Sequence, residues 1–135
     1  MMRGSTIVDD IMTKEIVEID EESFIHEAKE LMTNHDLRKV IVTRNGKPAY
    51  VLEEWKTWGK DGNQKIKTIA GKLEPVFMIQ SGTSLENVRQ QLEEKPAIVV
   101  MDKERGKMVG VLTATDLMKL IEQQVQRRPW EQKRM

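Results

Sequence analysis

Thr113 and Asp116 stand three residues apart, just after the apolar run Met108-Val109-Gly110-Val111-Leu112 and at the head of an amphipathic stretch through Leu117, Leu120, Ile121 and Val125. A carboxylate so placed can accept from two adjacent hydroxyls, as a ribose offers them, in a charge-assisted pair. A hydroxyl on the first turn of the same helix reaches a ribose or an α-phosphate. The unpaired N–H groups and positive dipole end of a helix start favour phosphate as well. Val111, two residues before Thr113, offers an apolar contact to a base. The same Thr-x-x-Asp spacing is also an approximate capping box, with Thr113 as N-cap and Asp116 in the first turn. Both readings stay open, and Thr113 can serve both.

Composition excludes most other chemistry. The 135 residues contain no Cys, which removes a thiol nucleophile, a disulfide scaffold and Cys-built metal sites. His26 and His35 are the only histidines and have no metal-ligand partners in the sequence pattern, so they read as surface residues. There is no nucleophile–base–orienter set and no Walker-type phosphate loop, so no enzymatic activity is expected. Lys plus Arg is 22 and Asp plus Glu is 22, without the basic excess of a general nucleic-acid binder. The last nine residues, Arg127 to Met135, carry four positive charges and one negative, leaving a body of net −3 and a tail of +3. Around Trp130 such a tail could touch nucleic acid, but a frayed terminus is its default. Nine Met suggest adaptable packing rather than a metal relay. No apolar run approaches the about 18–20 residues of a membrane span, and the start has no hydrophobic signal region, so the expectation is a cytoplasmic protein without a membrane segment.

The elements that must position Thr113 and Asp116 occur twice. Ile16-Val17-Glu18-Ile19 is followed by an acidic turn and an amphipathic stretch from Ser23, with Ile25, Ala28, Leu31 and Met32 on one face. About 60 residues on, Val76-Phe77-Met78-Ile79 precedes a polar turn and a stretch from Thr83, with Leu85, Val88 and Leu92 on one face. Ser23 is the expected N-cap of the first helix, and Thr83 with Glu86 has capping-box spacing for the second. Each helix leads to a β-branched run, Val40 to Thr43 or Ala97 to Met101, and a turn at Asn45-Gly46 or Arg105-Gly106. A returning strand and a further helix follow, from about Glu53 in the first copy and from Thr113 in the second. The expected fold is α/β (α+β), two β-α-β-β-α repeats packed as one pseudo-twofold domain. The units are residues 7–62 and 63–125, with a basic tail over 126–135. Gly59 to Asn63 is the expected linker, followed by a short helix around Lys65 to Ala70.

Asp10-Ile11-Met12-Thr13 before the first strand, the unit repeated twice, and Gly110-Val111-Leu112-Thr113-Ala114-Thr115-Asp116 resemble a tandem pair of cystathionine-beta-synthase-type (CBS) domains, a Bateman module. The resemblance covers about residues 7–122. It implies a stand-alone regulatory module that binds an adenosine-containing ligand (AMP, ADP, ATP or S-adenosylmethionine) in the cleft between the repeats and signals to an effector protein. It implies that the Thr113–Asp116 start faces Thr13 to Val17, including Ile16, and the segment Asp36-Leu37-Arg38. Thr13 then stands at a base-contacting position and Leu37 lines the base pocket. Arg38 or Lys39, and Lys95 before the second middle strand, are phosphate candidates. It also implies a homodimer formed through helices, for which Trp55 and Trp58 with Leu117, Met118 and Ile121 are candidates.

The first copy departs from the pattern. Aligned to Gly110–Asp116 it reads Tyr50-Val51-Leu52-Glu53-Glu54-Trp55-Lys56, with Glu53 at the Thr position and Lys56 at the Asp position. A Lys cannot accept from ribose hydroxyls, and two Glu repel a phosphate. One nucleotide per chain is expected. The alternative is a ligand-free interaction module in which Thr113 and Asp116 only cap a helix.

Overall fold

The computed structural model describes residues 6–126; the expected basic tail lies outside the described residues from Arg127 onward. The chain runs β1 (Glu18–Asp20), α1 (Ile25–Asn34), β2 (Lys39–Arg44), β3 (Lys47–Glu53), β4 (Glu74–Pro75), β5 (Phe77–Gln80), α2 (Leu85–Glu94), β6 (Ile98–Asp102), β7 (Lys107–Leu112) and α3 (Ala114–Gln126). Short 3-10 turns occupy Val8–Asp10, Glu54–Thr57 and Ile66–Lys72. One sheet has the order β1-β2-β3-β4 and the other β5-β6-β7.

In each half a helix crosses over between two parallel strands, the connection that parallel pairing requires. The central strands β2 and β6 are β-branched runs buried along most of their length. Alternation along β2 sends Val40 and Val42 towards α1 and Ile41 the other way. Val40, Val42 and Leu52 pack with Ile25, Ala28 and Met32 of α1. Ile98, Val100 and Leu112 pack with Val88 and Leu92 of α2. The opposite faces meet at a shared seam, where Ile41 and Val51 of one half pack with Ala97 and Val99 of the other. The hairpin between β2 and β3 turns on Asn45 and Gly46, both at positive φ (54° and 78°), as a two-residue type I′ turn requires.

Two backbone hooks are exchanged between the halves. The segment before the first repeat docks on the second: Ile7 bridges Ser84, and Val8 N–H donates to the Thr83 carbonyl at 2.9 Å. The segment between the repeats docks on the first: Lys65 bridges Phe24, and Ile66 N–H donates to the Ser23 carbonyl at 2.8 Å. Val8 and Ile66 are each fully buried in the core of the half they cover.

Several local expectations are corrected. The helix expected from Glu53 is only the 3-10 turn Glu54–Thr57, because the chain leaves through Gly59, at φ 74°, towards its hook. The Thr57 hydroxyl closes that turn on the Glu54 carbonyl at 2.6 Å. Ser23 is not an N-cap: Phe24 holds that position, and the Glu27 carboxylate accepts the Phe24 N–H at 2.8 Å. Thr83 is not one either. Ser84 holds the position, while the Thr83 hydroxyl is spent on the Gln80 carbonyl at 2.6 Å. The helix expected near Lys65 is the 3-10 segment Ile66–Lys72.

Candidate functional site

The sequence Leu112-Thr113-Ala114 ends β7 and starts α3, so Thr113 occupies the N-cap position. Asp116 turns its carboxylate back onto that start. Its Oδ2 accepts the Thr113 N–H at 2.9 Å, with the Thr113 hydroxyl donating from 3.4 Å. Its Oδ1 accepts the Thr13 hydroxyl at 3.0 Å. Asp116 is buried. Capping is therefore made by Asp116 towards the Thr113 backbone, and it fixes the orientation of the carboxylate.

Thr13 reaches this place because the N-terminal hook ends as a β-bridge. Thr13 N–H donates to the Val111 carbonyl at 2.8 Å, and Val111 N–H to the Thr13 carbonyl at 2.9 Å. One residue earlier, Met12 lies across Gly110. A Cβ at Gly110 would sit 2.3 Å from the Met12 sulfur, so only glycine admits this approach. The hook is pinned by Asp9, whose carboxylate accepts from the Ser81 hydroxyl and, at 2.6 Å, from the Gly82 N–H. The Ser81 bond, with the Gly82 N–H, holds the Asp9 carboxyl below its usual value.

A carboxylate has about four lone-pair sites. Thr13 and Thr113 supply three donors to Asp116, two of them on Oδ2. Capacity remains on Oδ1, beside the exposed Thr13, for an incoming hydroxyl.

The other expected site residues occupy the surroundings. Val111 is half-buried, its side chain against the seam. Asp36 is exposed at φ 53°, and Leu37, half-buried, donates its N–H to the Met32 carbonyl at 2.8 Å. Arg38 is exposed, and its carbonyl accepts the Glu54 N–H at 2.8 Å. Lys39 is committed elsewhere: its Nζ donates to the Pro96 carbonyl at 2.8 Å across the halves. That bond joins the segment before β2 to the segment before β6, so Arg38 and half-buried Lys95 border one junction. Ile16 is half-buried on the approach to β1. The structure thus joins Thr13, Val111, Thr113 and Asp116 directly. Among the described residues no hydrogen bond ties Ile16, Asp36, Leu37, Arg38 or Lys95 to them.

The first half carries the same backbone with other side chains. Val42 pairs with Tyr50 as Val100 pairs with Gly110, and Val51 pairs with Glu74 as Val111 pairs with Thr13. Lys56 therefore falls at the place of Asp116 and Glu74 at the place of Thr13. The Lys56 ammonium donates to the Lys72 carbonyl and lies 4.9 Å from the centre of the Trp55 ring. Tyr50 closes the other side: Arg44 donates to its hydroxyl at 2.7 Å and grips Glu21 at 2.9 and 3.2 Å. Glu21 raises the Arg44 guanidinium above its ordinary value.

Sequence reasoning passed over Asp9 and Met12. The signal for Met12 was the contrast between Gly110 and Tyr50 at matched positions. Asp9 bonds residues 72 and 73 positions away, which spacing does not reveal. Leu117, expected on the outer surface with Met118 and Ile121, instead packs on the second core. Among the described residues no group of three His, Cys, Asp or Glu side chains is arranged for a metal. Nor, among them, is any helix long and apolar enough to cross a membrane.

The CBS domain family profile matches twice, over residues 8–55 and 67–123. The chain belongs to the CBS domain family. No curated protein matches it closely. Solved structures share its fold at low identity. The CBS domain pair of protein MJ0100, in complex with 5′-methylthioadenosine and S-adenosyl-L-methionine, is 19% identical with a TM-score of 0.74, over 89% of this chain and 98% of that one. The CBS domain of a bacterial CNNM/CorC family Mg2+ transporter in complex with ATP is 22% identical with a TM-score of 0.69, over 84% and 85%. A hemolysin-like CBS-domain protein of Oenococcus oeni is 18% identical with a TM-score of 0.74, over 85% and 89%. The chain is thus a CBS pair, in a mixed α/β fold, similar to proteins solved with adenosine-containing ligands.

Proposed function

We propose that this CBS pair is a regulatory module that binds one adenosine nucleotide beside Asp116 and passes the binding on to a partner protein. The observation that carries this is the buried Asp116 carboxylate, held by Thr13 and Thr113 with acceptor capacity left on Oδ1. The ribose diol bonds that carboxylate, and the Thr113 hydroxyl and the start of α3 face the first phosphate. Val111 and Leu37 contact the base, with Thr13 and Ile16 at its edge. Arg38 and Lys95, bordering the Lys39–Pro96 junction, serve the outer phosphates, and Asp36 orders the turn that presents Leu37 and Arg38. In this reading the units are residues 7–62 and 63–125. The first has no second nucleotide site, since Lys56 stands where the acceptor would be. The ligand biases the orientation of the two halves only through a difference in affinity between two arrangements.

The test is a thermal-shift series with AMP, ADP, ATP and S-adenosylmethionine, followed by calorimetry with the best ligand. A ligand at 100 times its dissociation constant stabilises by about 2.7 kcal/mol. One site per chain, lost in Asp116→Ala, is the expected result. No shift with any of the four at millimolar concentration counts against nucleotide binding.

A second reading is supported by the exposed apolar side chains. Trp55, Trp58, Met118 and Ile121 are 53%, 68%, 58% and 45% exposed. In that reading the protein is an interaction module, a homodimer or a partner-binding unit, and Asp116 only caps α3. A chain that binds no adenosine compound but is a dimer in light scattering, and a monomer after Trp58→Ser, follows from it.

A further inference from the structure

The two hooks are docked by interactions of opposite polarity. On the second half the acid sits on the hook and the donors on the turn: Asp9 accepts from Ser81 and Gly82. Gly82 lies at φ 89°, a conformation that suits glycine, with its N–H on Asp9. On the first half the acid sits on the turn and the donors on the hook. Glu22 accepts from Lys65 at 3.1 Å and from Lys67 at 3.0 Å. The positions correspond residue for residue. Val8 bonds Thr83 as Ile66 bonds Ser23, which sets Asp9 opposite Gly82 as Lys67 is set opposite Glu22.

We infer that Asp9 is a positioning residue for the site at Asp116: it anchors the hook that sets Thr13 against the carboxylate, and its charge keeps that hook off the first half. The inference rests on the proposed nucleotide site for its consequence, but the anchoring itself is independent of any ligand. Four residues separate Asp9 from Thr13. Between them Met12 N–H donates to the Val8 carbonyl at 2.9 Å, and Met12 fills the space over Gly110. The 3-10 turn, Met12 and the bridge at Val111 therefore transmit the anchor to the Thr13 hydroxyl. Docked on the first half, the same hook would bring Asp9 against Glu22, like against like. The hook between the repeats, docked on the second half, would leave Lys67 facing the Gly82 N–H, donor against donor. Reversed polarity thus assigns each hook to one half, and only the acidic hook ends in a Thr.

The test combines amide exchange with ADP binding in the full chain. In ligand-free Asp9→Ala, exchange at Val8, Met12, Thr13 and Val111 is expected to rise about tenfold or more, the factor carried by a lost charge-assisted bond. Exchange at Ile66 and Lys67 stays unchanged and serves as the internal control for folding. Asp9→Glu, which keeps the charge, restores part of the protection, and Asp9→Lys restores none. ADP affinity falls in Asp9→Ala but falls little further when Asp9→Ala is added to Thr13→Val, because Asp9 acts through Thr13. Unchanged hook exchange in Asp9→Ala overturns the anchor. An equal affinity loss with and without Thr13→Val overturns the route through Thr13. If wild-type protein binds no ADP, the proposed site fails, while the exchange data still decide whether Asp9 anchors the hook.

Discussion

The first half closes its pseudo-site from within, with Lys56 on its own hook's carbonyl and Tyr50 tied to Arg44 and Glu21. The second half, on the same strand register and the same kind of hook, leaves a buried carboxylate between two threonines and a glycine under a flexible methionine. The backbone is therefore not what distinguishes a binding half from a structural one. Three positions do: Tyr50 against Gly110, Lys56 against Asp116, and Glu74 against Thr13. A donor where an acceptor is needed, and a ring where space is needed, convert one half into a scaffold for the other. This economy suits a module whose halves must hold each other through a seam, since each unit alone is small for an independent core.

The comparison is broken most severely through what the halves share. Ile66 and Val8 are fully buried at equivalent places, and both hooks depend on them. Ile66→Ala is expected to cost about 2–5 kcal/mol, the range for a large-to-small change in a packed core. Val8→Ala removes less volume and should cost less. A chemical-denaturation series reads both, and equal costs would mean that the hooks are not packed alike.

Next in size is the exchange of the decisive residue. Asp116→Lys gives the second half the side chain of the first and should abolish ADP binding, a loss of a hundredfold or more if two charge-assisted bonds of about 1.5–3 kcal/mol each are removed. Lys56→Ala, in the half already closed, should leave ADP affinity unchanged. Calorimetry on the two variants sharpens the contrast. A loss in Lys56→Ala would show that the first half contributes a phosphate or ribose contact after all.

Much of this was legible in the sequence because it is periodic or local. The alternation in Val40 to Thr43 and Ile98 to Met101, the helix faces at Ile25-Ala28-Met32 and Val88-Leu92, and the Asn45-Gly46 turn each state their structure within a few residues. So did the match of Tyr50–Lys56 to Gly110–Asp116, which the pairings Val42–Tyr50 and Val100–Gly110 reproduce. The helix expected after β3 was wrong because Trp55 and Trp58 looked like one helical face. Gly59 and the pull of the hook towards Phe24 cut the segment to a single 3-10 turn. Both N-caps shifted by one residue, since Glu27 bonds the Phe24 N–H and the Thr83 hydroxyl is spent on Gln80. The exchange of hooks was not legible at all. It is decided by tertiary contacts spanning some 70 residues, such as Asp9 with Ser81 and Gly82.

Gly110→Ala tests the smaller asymmetry in space. The added methyl would meet Met12 at 2.3 Å, and Met12 must move. Overpacking of this kind costs about 1–3 kcal/mol, discounted towards the lower end because a methionine can adapt. Thermal unfolding should show it, and Met12→Ala should recover most of the loss in the double variant. If it does not, the close approach is to backbone rather than to the side chain.

The smallest effect separates the two anchors by the kind of donor. Glu22 is held low by Lys67 and then Lys65, whereas Asp9 is held low by the neutral Ser81 hydroxyl and the Gly82 N–H. Both carboxyls have folded values below their ordinary ones. Their contributions are therefore present above the ordinary values of 4.5 and 3.8, and are lost as pH falls through the lower folded values. Acid loosens both hooks. Salt does not treat them alike. At 1 M the Debye length is about 3 Å, which screens exposed ion pairs but leaves a short bond to a neutral donor largely intact. Amide exchange at Ile66 and Lys67 should rise roughly twofold in 1 M NaCl at neutral pH, in keeping with the small worth of surface pairs. Exchange at Val8 and Thr13 should not change. Equal salt sensitivity at both hooks would mean that Asp9 is anchored through Lys14 and long-range charge rather than through the Ser81–Gly82 turn.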